Sequence, residues 1–327
     1  MQATLVSPGA MLMLARGDDA EALMDDFSTP ALPRVQIWRT AVGFVLLIGT
    51  FFGATFLLFR LGARMIEAPA PEMLTGGTPL SAMIFFATFI GFHVGLLVVL
   101  PLLHRRGYSS LFGPSRRLNM RHFAWGTLAT LALAAGLYGL MFVERLFLPA
   151  ALEPSIALLR PVGEWAVWLI PALAVIFLQT FAEEALFRGY LLQQLRARFS
   201  SVWVWAVLPS FIFGLLHFDA ATYGWVNAGA YVVNTTVTGI LLCLITVRTG
   251  NLGAAAGLHF GNNAALVFIG IDGTLDGFSL AAVVMPLQEG YTAWSILSQT
   301  VVTLILFTIW WFWMNRRDKI ANAASGA

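Results

Sequence analysis

Charge is scarce in this chain. Only 11% of its 327 residues are Asp, Glu, Lys or Arg while 58% are hydrophobic, whereas a soluble domain carries roughly a quarter charged residues. Lysine is almost missing, with one Lys beside 18 Arg, a bias that suggests a GC-rich, bacterial genome. Cysteine is single. Cys243 therefore excludes an intrachain disulfide framework and a cysteine-based metal site, and is expected to be a small core residue. A net charge of +2 provides no basic field for nucleic acid, so that class of partner is set aside.

What fills the chain instead is long apolar sequence. Charge-free runs bounded by charges occur at Thr40 to Phe59, Leu80 to Leu103, Phe123 to Val143, Trp165 to Ala182, Phe199 to Leu216, Val226 to Val247, Leu252 to Ile271 and Gly290 to Asn315. Most approach the ~20 residues that carry a helix across a ~30 Å hydrocarbon core. The fourth and fifth are the shortest, and the fourth runs on through charged residues. Lipid offers the backbone no hydrogen-bond partner, so runs of this length must be helical. The expected fold is all-α, a polytopic transmembrane bundle of about eight helices. A transmembrane barrel would show short alternating segments instead.

Arg and Lys in the connections indicate orientation. Arg105, Arg106, Arg116, Arg117, Arg121, Arg196, Arg198, Arg248, Arg316, Arg317 and Lys319 share one side. Glu67, Glu72, Glu153, Glu164, Asp219, Asp272, Asp276 and Glu289 share the other. Both termini are expected in the cytoplasm, with the protein multi-pass in the cell membrane. Trp310, Trp311 and Trp313 just before the last basic cluster form an interfacial belt. The acidic start, with Asp18, Asp19, Glu21, Asp25 and Asp26, lacks a signal-peptide pattern. The organisation expected is a tail over 1–39, three spans over 40–148, an outer connection over 149–164 containing Pro149, Pro154 and Pro161, four spans over 165–271, and an eighth span with a second tail over 272–327. His93 in the second span is expected to be structural or to face a lumen.

An ionisable side chain at bilayer depth costs at least ~2.5 kcal/mol on insertion scales and marks a functional site by default. Here such residues cluster. In Gln179-Thr-Phe-Ala-Glu183-Glu184-Ala-Leu-Phe-Arg188, helical spacing pairs Glu184 with Arg188 at i,i+4 and turns Glu183 roughly 100° away, onto the Gln179 side. Glu183 is left without a partner in its own motif, which suits a base whose carboxylate is raised by desolvation. The plain alternative is a Glu–Arg pair that only locks helices together. Phe213-Gly-Leu-Leu-His217 closes the fifth run. In the seventh, His259 and Asn263 share one helix face, while Gly253, Gly257 and Gly261 stripe the opposite face and permit close helix contact. At 1.5 Å per residue, Glu183 and His217 each lie roughly 22 to 24 Å from the basic side, so they can meet; the fit of His259 is looser.

These residues resemble the intramembrane proteases of the CAAX-processing and bacteriocin-processing (CPBP, or Abi) group, which includes the type II CAAX prenyl endopeptidases. Three motifs of that family occur in order: Glu-Glu-x-x-x-Arg at Glu183, Glu184 and Arg188, Phe-x-x-x-His at Phe213 and His217, and His-x-x-x-Asn at His259 and Asn263. The resemblance spans roughly Trp165 to Ile271. It implies an intramembrane endopeptidase in which Glu183 activates a water with help from His217, His259 and Asn263 steady the oxyanion, and Glu184, Arg188 and Phe213 support them. The substrate implied is a membrane-associated or lipid-anchored peptide or protein, with lipid as the other partner.

No cofactor is expected. Zinc is the alternative, since Glu183, His217 and His259 could hold it with a water position open, but no His-Glu-x-x-His places two ligands on one helical turn. Gly-x-Ser-x-Gly is absent, which argues against a serine mechanism, and Ile271 to Asp276 does not form Gly-x-Gly-Asp. Two other functions fit parts of the pattern. One is a non-catalytic immunity or scaffold protein of the same fold; the other is a proton-coupled transporter with Glu183 and His217 as its relay.

Overall fold

The computed structural model describes residues 26–66, 70–149, 153–273, 275–285 and 287–325. The acidic tail through Asp25 and Glu67 of the first outer connection lie outside the described residues. The helices, in chain order, are α1 Ile37–Ile66, α2 Ala70–Thr75, α3 Pro79–Ala87, α4 Ile90–His104, α5 Met120–Glu144, α6 Val162–Glu184, α7 Leu192–Arg196, α8 Leu208–Leu215, α9 Ala220–Thr249, α10 Gly253–Ala265 and α11 Gly290–Ser325. Among the described residues six stretches are long and apolar enough to cross a membrane: Ile37–Met65, Pro79–His104, Met120–Glu144, Val162–Arg196, Ala220–Thr249 and Gly290–Ile320. The chain is thus a helical multi-pass membrane protein. Apolar side chains stand open on its outer faces, as lipid requires and water would not tolerate at this density; Val45 is 69% exposed and Phe56 65%.

The fifth and seventh apolar runs depart from the expected length. The fifth forms a π-helical turn, Trp203–Val207, followed by the 8-residue α8. Pro209 has no N–H to donate one turn back, which weakens a regular helix there. The seventh reads as 20 apolar residues, yet α10 stops at Ala265 and the chain turns into a strand. The carbonyls just beyond its end are taken by groups from elsewhere: Trp165 Nε1 donates to Val267 O at 2.8 Å and Ser279 Oγ to Leu266 O at 2.6 Å. With those carbonyls satisfied, nothing requires the helix to continue.

The strand is part of a small sheet that the apolar pattern hides. Strands β1 Ser155–Leu158, β2 Ile269–Ile271 and β3 Ala281–Val284 lie in the order β1-β3-β2. β1 pairs antiparallel with β3, with Ser155 opposite Val284, and β2 pairs parallel with it, with Ile269 opposite Ala281.

The chain divides into two compact units. The first comprises residues 1–209 and 243–285 and holds α1 to α7, α10 and the sheet. There Cys243 is buried among Phe27, Leu192, Trp205 and Ala206, a small core residue as expected. His93 is structural: Nε2 lies 3.0 Å from Leu178 O and Nδ1 2.7 Å from Tyr108 OH. The second unit comprises residues 210–242 and 286–327. Within it Asn227 Nδ2 donates to Leu287 O at 2.7 Å and Asn234 Nδ2 to Thr300 Oγ1 at 2.8 Å.

Candidate active site

Two packing faces of α10 create the site. Its glycine face lies on α5 at backbone contact. A Cβ at Gly253, Gly257 or Gly261 would fall 2.4 Å from Asn119 O, 2.0 Å from Phe123 O or 2.6 Å from Thr127 O. The contact is reciprocal, since a Cβ at Gly126 of α5 would meet Ala254 O at 2.7 Å. Thr127 Oγ1 donates across it to Gly257 O at 3.2 Å. The small-residue stripe therefore does what its spacing predicts. α5, one of the spans without chemistry of its own, is the wall against which α10 is set.

The opposite face of α10 meets α6 through two polar rungs. Asn263 Nδ2 donates to Gln179 Oε1 at 3.0 Å. One turn away, His259 reaches both glutamates: Nδ1 lies 2.8 Å from Glu184 Oε1, and Nε2 lies 3.4 Å from Glu183 Oε2. Residue numbers rise along α6 as they fall along α10, so the two helices are antiparallel and their i,i+4 spacings match rung for rung.

The i,i+4 pair is present. Arg188 Nη1 donates to Glu184 Oε1 at 2.7 Å, with side-chain exposures of 1% and 0%. Glu184 Oε1 thus serves Arg188 and His259 together. Glu183 differs in access, retaining 11% side-chain exposure against 0% for Glu184. One carboxylate is sealed and charge-compensated; the other is the one a small molecule can reach. The sequence places Glu183 toward Gln179, but Gln179 is occupied by Asn263 and it is His259 that Glu183 faces.

This geometry constrains protons. With Nδ1 donating to Glu184, Nε2 carries either a lone pair or a second proton. Nε2 and Glu183 Oε2 face each other at ion-pair distance, while Glu184 holds the other side of the ring and is itself held by Arg188.

Immediately after Glu184 the helix widens into a π turn, Ala185–Leu191, all of it buried. π turns concentrate at functional sites because one extra residue re-aims the side chains beyond it. Nothing in the apolar pattern signals it. A second unforeseen residue is Asn251. Its Oδ1 accepts from Asn119 N and Gly253 N, each at 2.9 Å, and its Nδ2 donates to Phe112 O and Arg117 O, each at 2.9 Å. It fixes the start of α10 against the start of α5.

Phe213 and His217 belong to the second unit. His217 follows α8, its Nδ1 2.9 Å from Phe213 O and its ring edge-on to the Phe213 ring at 4.8 Å. With Nδ1–H donating to the carbonyl, Nε2 is left as the acceptor. Unit 1 thus brings together Glu183, Glu184, Arg188, His259 and Asn263, and His217 stands on the other unit.

For a metal the ligand set in unit 1 is short. Glu183 and His259 supply two ligands, Glu184 is engaged by Arg188, and catalytic zinc takes three protein ligands. Among the described residues, no group of three or more His, Cys, Asp or Glu is placed to hold a metal ion.

The fold and the site define a multi-pass membrane protein with a buried carboxylate–imidazole centre between two antiparallel helices. Residues 164–265 match the family described as Type II CAAX prenyl endopeptidase Rce1-like, which bears out the resemblance carried by the three motifs. Over 253 residues, 74% of this chain and 81% of the other, the chain is 22% identical to a Bacillus subtilis (strain 168) protein described as uncharacterized protein YyaK.

Proposed function

We propose that this protein is an intramembrane endopeptidase in which Glu183 activates water. The observation that carries the reading is the asymmetry of the two glutamates: Glu184 is sealed between Arg188 and His259, and Glu183 keeps 11% side-chain exposure and faces His259 Nε2 at 3.4 Å. In the reaction, Glu183 takes a proton from water as the oxygen bonds to the peptide carbonyl carbon. The carbonyl oxygen becomes an oxyanion. The second Nδ2 hydrogen of Asn263, not used on Gln179, and the protonated His259 are donors of the kind that stabilise it. The proton then passes to the departing nitrogen as the C–N bond breaks. His217 assists as the resemblance implies, with its bare Nε2 as the acceptor.

The reading uses no metal. The substrate is a membrane-associated or lipid-anchored peptide, in keeping with a site carried by membrane-spanning helices. The one-sided distribution of Arg supports a plasma-membrane protein with both termini in the cytoplasm.

The test compares membrane peptide profiles of cells carrying the wild type and Glu183→Gln, then assays the purified protein with a strong zinc chelator. Fragments that disappear in the variant, with activity unchanged by chelator, are expected. Identical profiles would remove the protease reading. Loss of activity with chelator and its return with zinc would remove the metal-free one.

A further inference from the structure

Away from the site, at the end where α4 closes and α1 begins, the first unit gathers four arginines that pair with no acid among the described residues. Arg39 Nη1 donates to Leu103 O at 2.9 Å. His104 Nδ1 lies 3.4 Å from Arg34 O and its Nε2 3.0 Å from Tyr190 OH. Arg106 is buried and donates to the Gln193 side-chain oxygen. With the Gln194 amide turned so that its nitrogen donates to Arg34 O at 3.0 Å, its oxygen accepts from Arg106 Nη2 at 3.2 Å. Arg34 also lies within electrostatic reach of Arg105 and Arg39. Hydrogen bonds thus tie the Arg34 and Arg39 backbone and the Arg106 side chain into one cluster, with Arg105 beside Arg34.

Among the described residues these charges have no acidic counterpart. Buried guanidinium groups are normally paired with carboxylates, but the partners of Arg106 are neutral amides, and its Nε has none among the described residues. None of the four forms an ion pair with a described carboxylate; Asp26, the nearby acid in sequence, is bound to Arg196. The C-terminus of α4, whose Leu103 carbonyl takes Arg39, offers roughly half a negative charge against four positive ones. Burial pulls the Arg106 guanidinium down to about 10, which still leaves it charged at neutral pH. Among the described residues no carboxylate answers this cluster.

The surroundings indicate which anion. Trp38, 53% exposed, lies under Arg39, whose guanidinium carbon is 4.5 Å from the ring centroid. Beyond it the exposed apolar residues Val42, Val45 and Leu46 begin the lipid-facing length of α1. An exposed tryptophan at the junction of an apolar helix and a basic cluster marks headgroup depth.

We infer that Arg34, Arg39 and Arg105, backed by the buried Arg106, bind the phosphate of an anionic phospholipid headgroup. Arginine forks suit phosphate oxygens, and the buried network of Gln193, Gln194, His104 and Tyr190 fixes the Arg106 side chain and the backbone that carries Arg34 and Arg39. Tyr190 lies in the π turn that succeeds Glu184, so a bound headgroup also braces the segment that follows the carboxylates.

The experiment titrates the full-length protein in detergent with phosphatidylglycerol, phosphatidylcholine or inorganic phosphate and tracks its unfolding temperature. Phosphatidylglycerol is expected to raise it saturably by several degrees and phosphatidylcholine to leave it unchanged. Arg34→Gln/Arg105→Gln, altering two surface side chains, should weaken the phosphatidylglycerol response at least tenfold in midpoint concentration. Arg316→Gln/Arg317→Gln, removing a basic pair elsewhere, should not. Equal responses to the two lipids, or equal effects of the two double variants, would overturn the site. A saturable response to inorganic phosphate matching that to phosphatidylglycerol would overturn the lipid assignment.

Discussion

His259 Nε2 stands 3.4 Å from Glu183 Oε2, while the other nitrogen of the same ring is held by Glu184. In the proposed reaction the two residues act as one unit. Residues that act as a unit are grossly non-additive when removed. Glu183→Gln is expected to lower kcat/KM by at least about 10³-fold and His259→Gln by about 10²-fold or more. The double variant should be no worse than Glu183→Gln alone. Multiplying effects in a cleavage assay would show that the pair is not a unit.

Arg188 and Glu184 predict a stability effect instead. Removing one partner of a buried ion pair strands the other charge at about 3–5 kcal/mol. Arg188→Met should therefore lower stability to denaturant in detergent by that order. The double change Arg188→Met/Glu184→Met should restore part of it, because no isolated charge remains. If Arg188→Met alone leaves the unfolding midpoint in place, the pair contributes little to the fold.

Gly257 makes a steric prediction with an internal control. A Cβ there would lie 2.0 Å from Phe123 O, whereas one at Gly136 on α5 has nothing within 4 Å. Gly257→Ala must push two backbones apart and is expected to cost about 1–3 kcal/mol. Gly136→Ala should be neutral or stabilising by up to about 1 kcal/mol, because glycine is a poor helix former. Thermal unfolding of the two variants side by side checks both directions.

Asp26 gives a pH effect. Burial raises its carboxyl, but hydrogen bonds from Ser28, together with the Arg196 pair, outweigh burial and hold it below its ordinary value of 3.8. A carboxyl lowered by folding contributes stability fully present above the ordinary value and lost as pH falls through the lowered one. Because the group is half-exposed the contribution is about 1 kcal/mol. Asp26→Asn should remove it at neutral pH and flatten the loss of stability below about pH 4, read by unfolding at several pH values.

Much of this was legible because membrane sequences are strongly constrained. Six apolar runs became six long helices, since lipid leaves the backbone no other choice. The Glu184–Arg188 pair came from helical spacing alone, and the glycine face of α10 from its four-residue period. The features that stayed hidden depend on other segments. The end of α10 is decided by Trp165 and Ser279, far away in sequence or beyond a turn. The sheet pairs 155–158 with 281–284, a contact no periodicity announces. His259 facing both glutamates requires the antiparallel register of α6 and α10, and the π turn has no compositional mark. Gln193, Gln194 and Arg106 looked like ordinary residues near a basic loop until the fold buried them.

The glycine stripe repeats every four residues, and so do the carbonyls it rests on, Asn119, Phe123 and Thr127. A surface with that repeat is indifferent to a slide of one helical turn, much as two combs mesh at any tooth. Alone it would let α10 ratchet past its neighbour and exchange which carboxylate meets which nitrogen. Asn251 has no repeat. By tying the first residues of α10 to Phe112, Arg117 and Asn119, it acts as the index pin that selects one tooth, and a site measured in tenths of an ångström inherits its alignment from a residue two turns away.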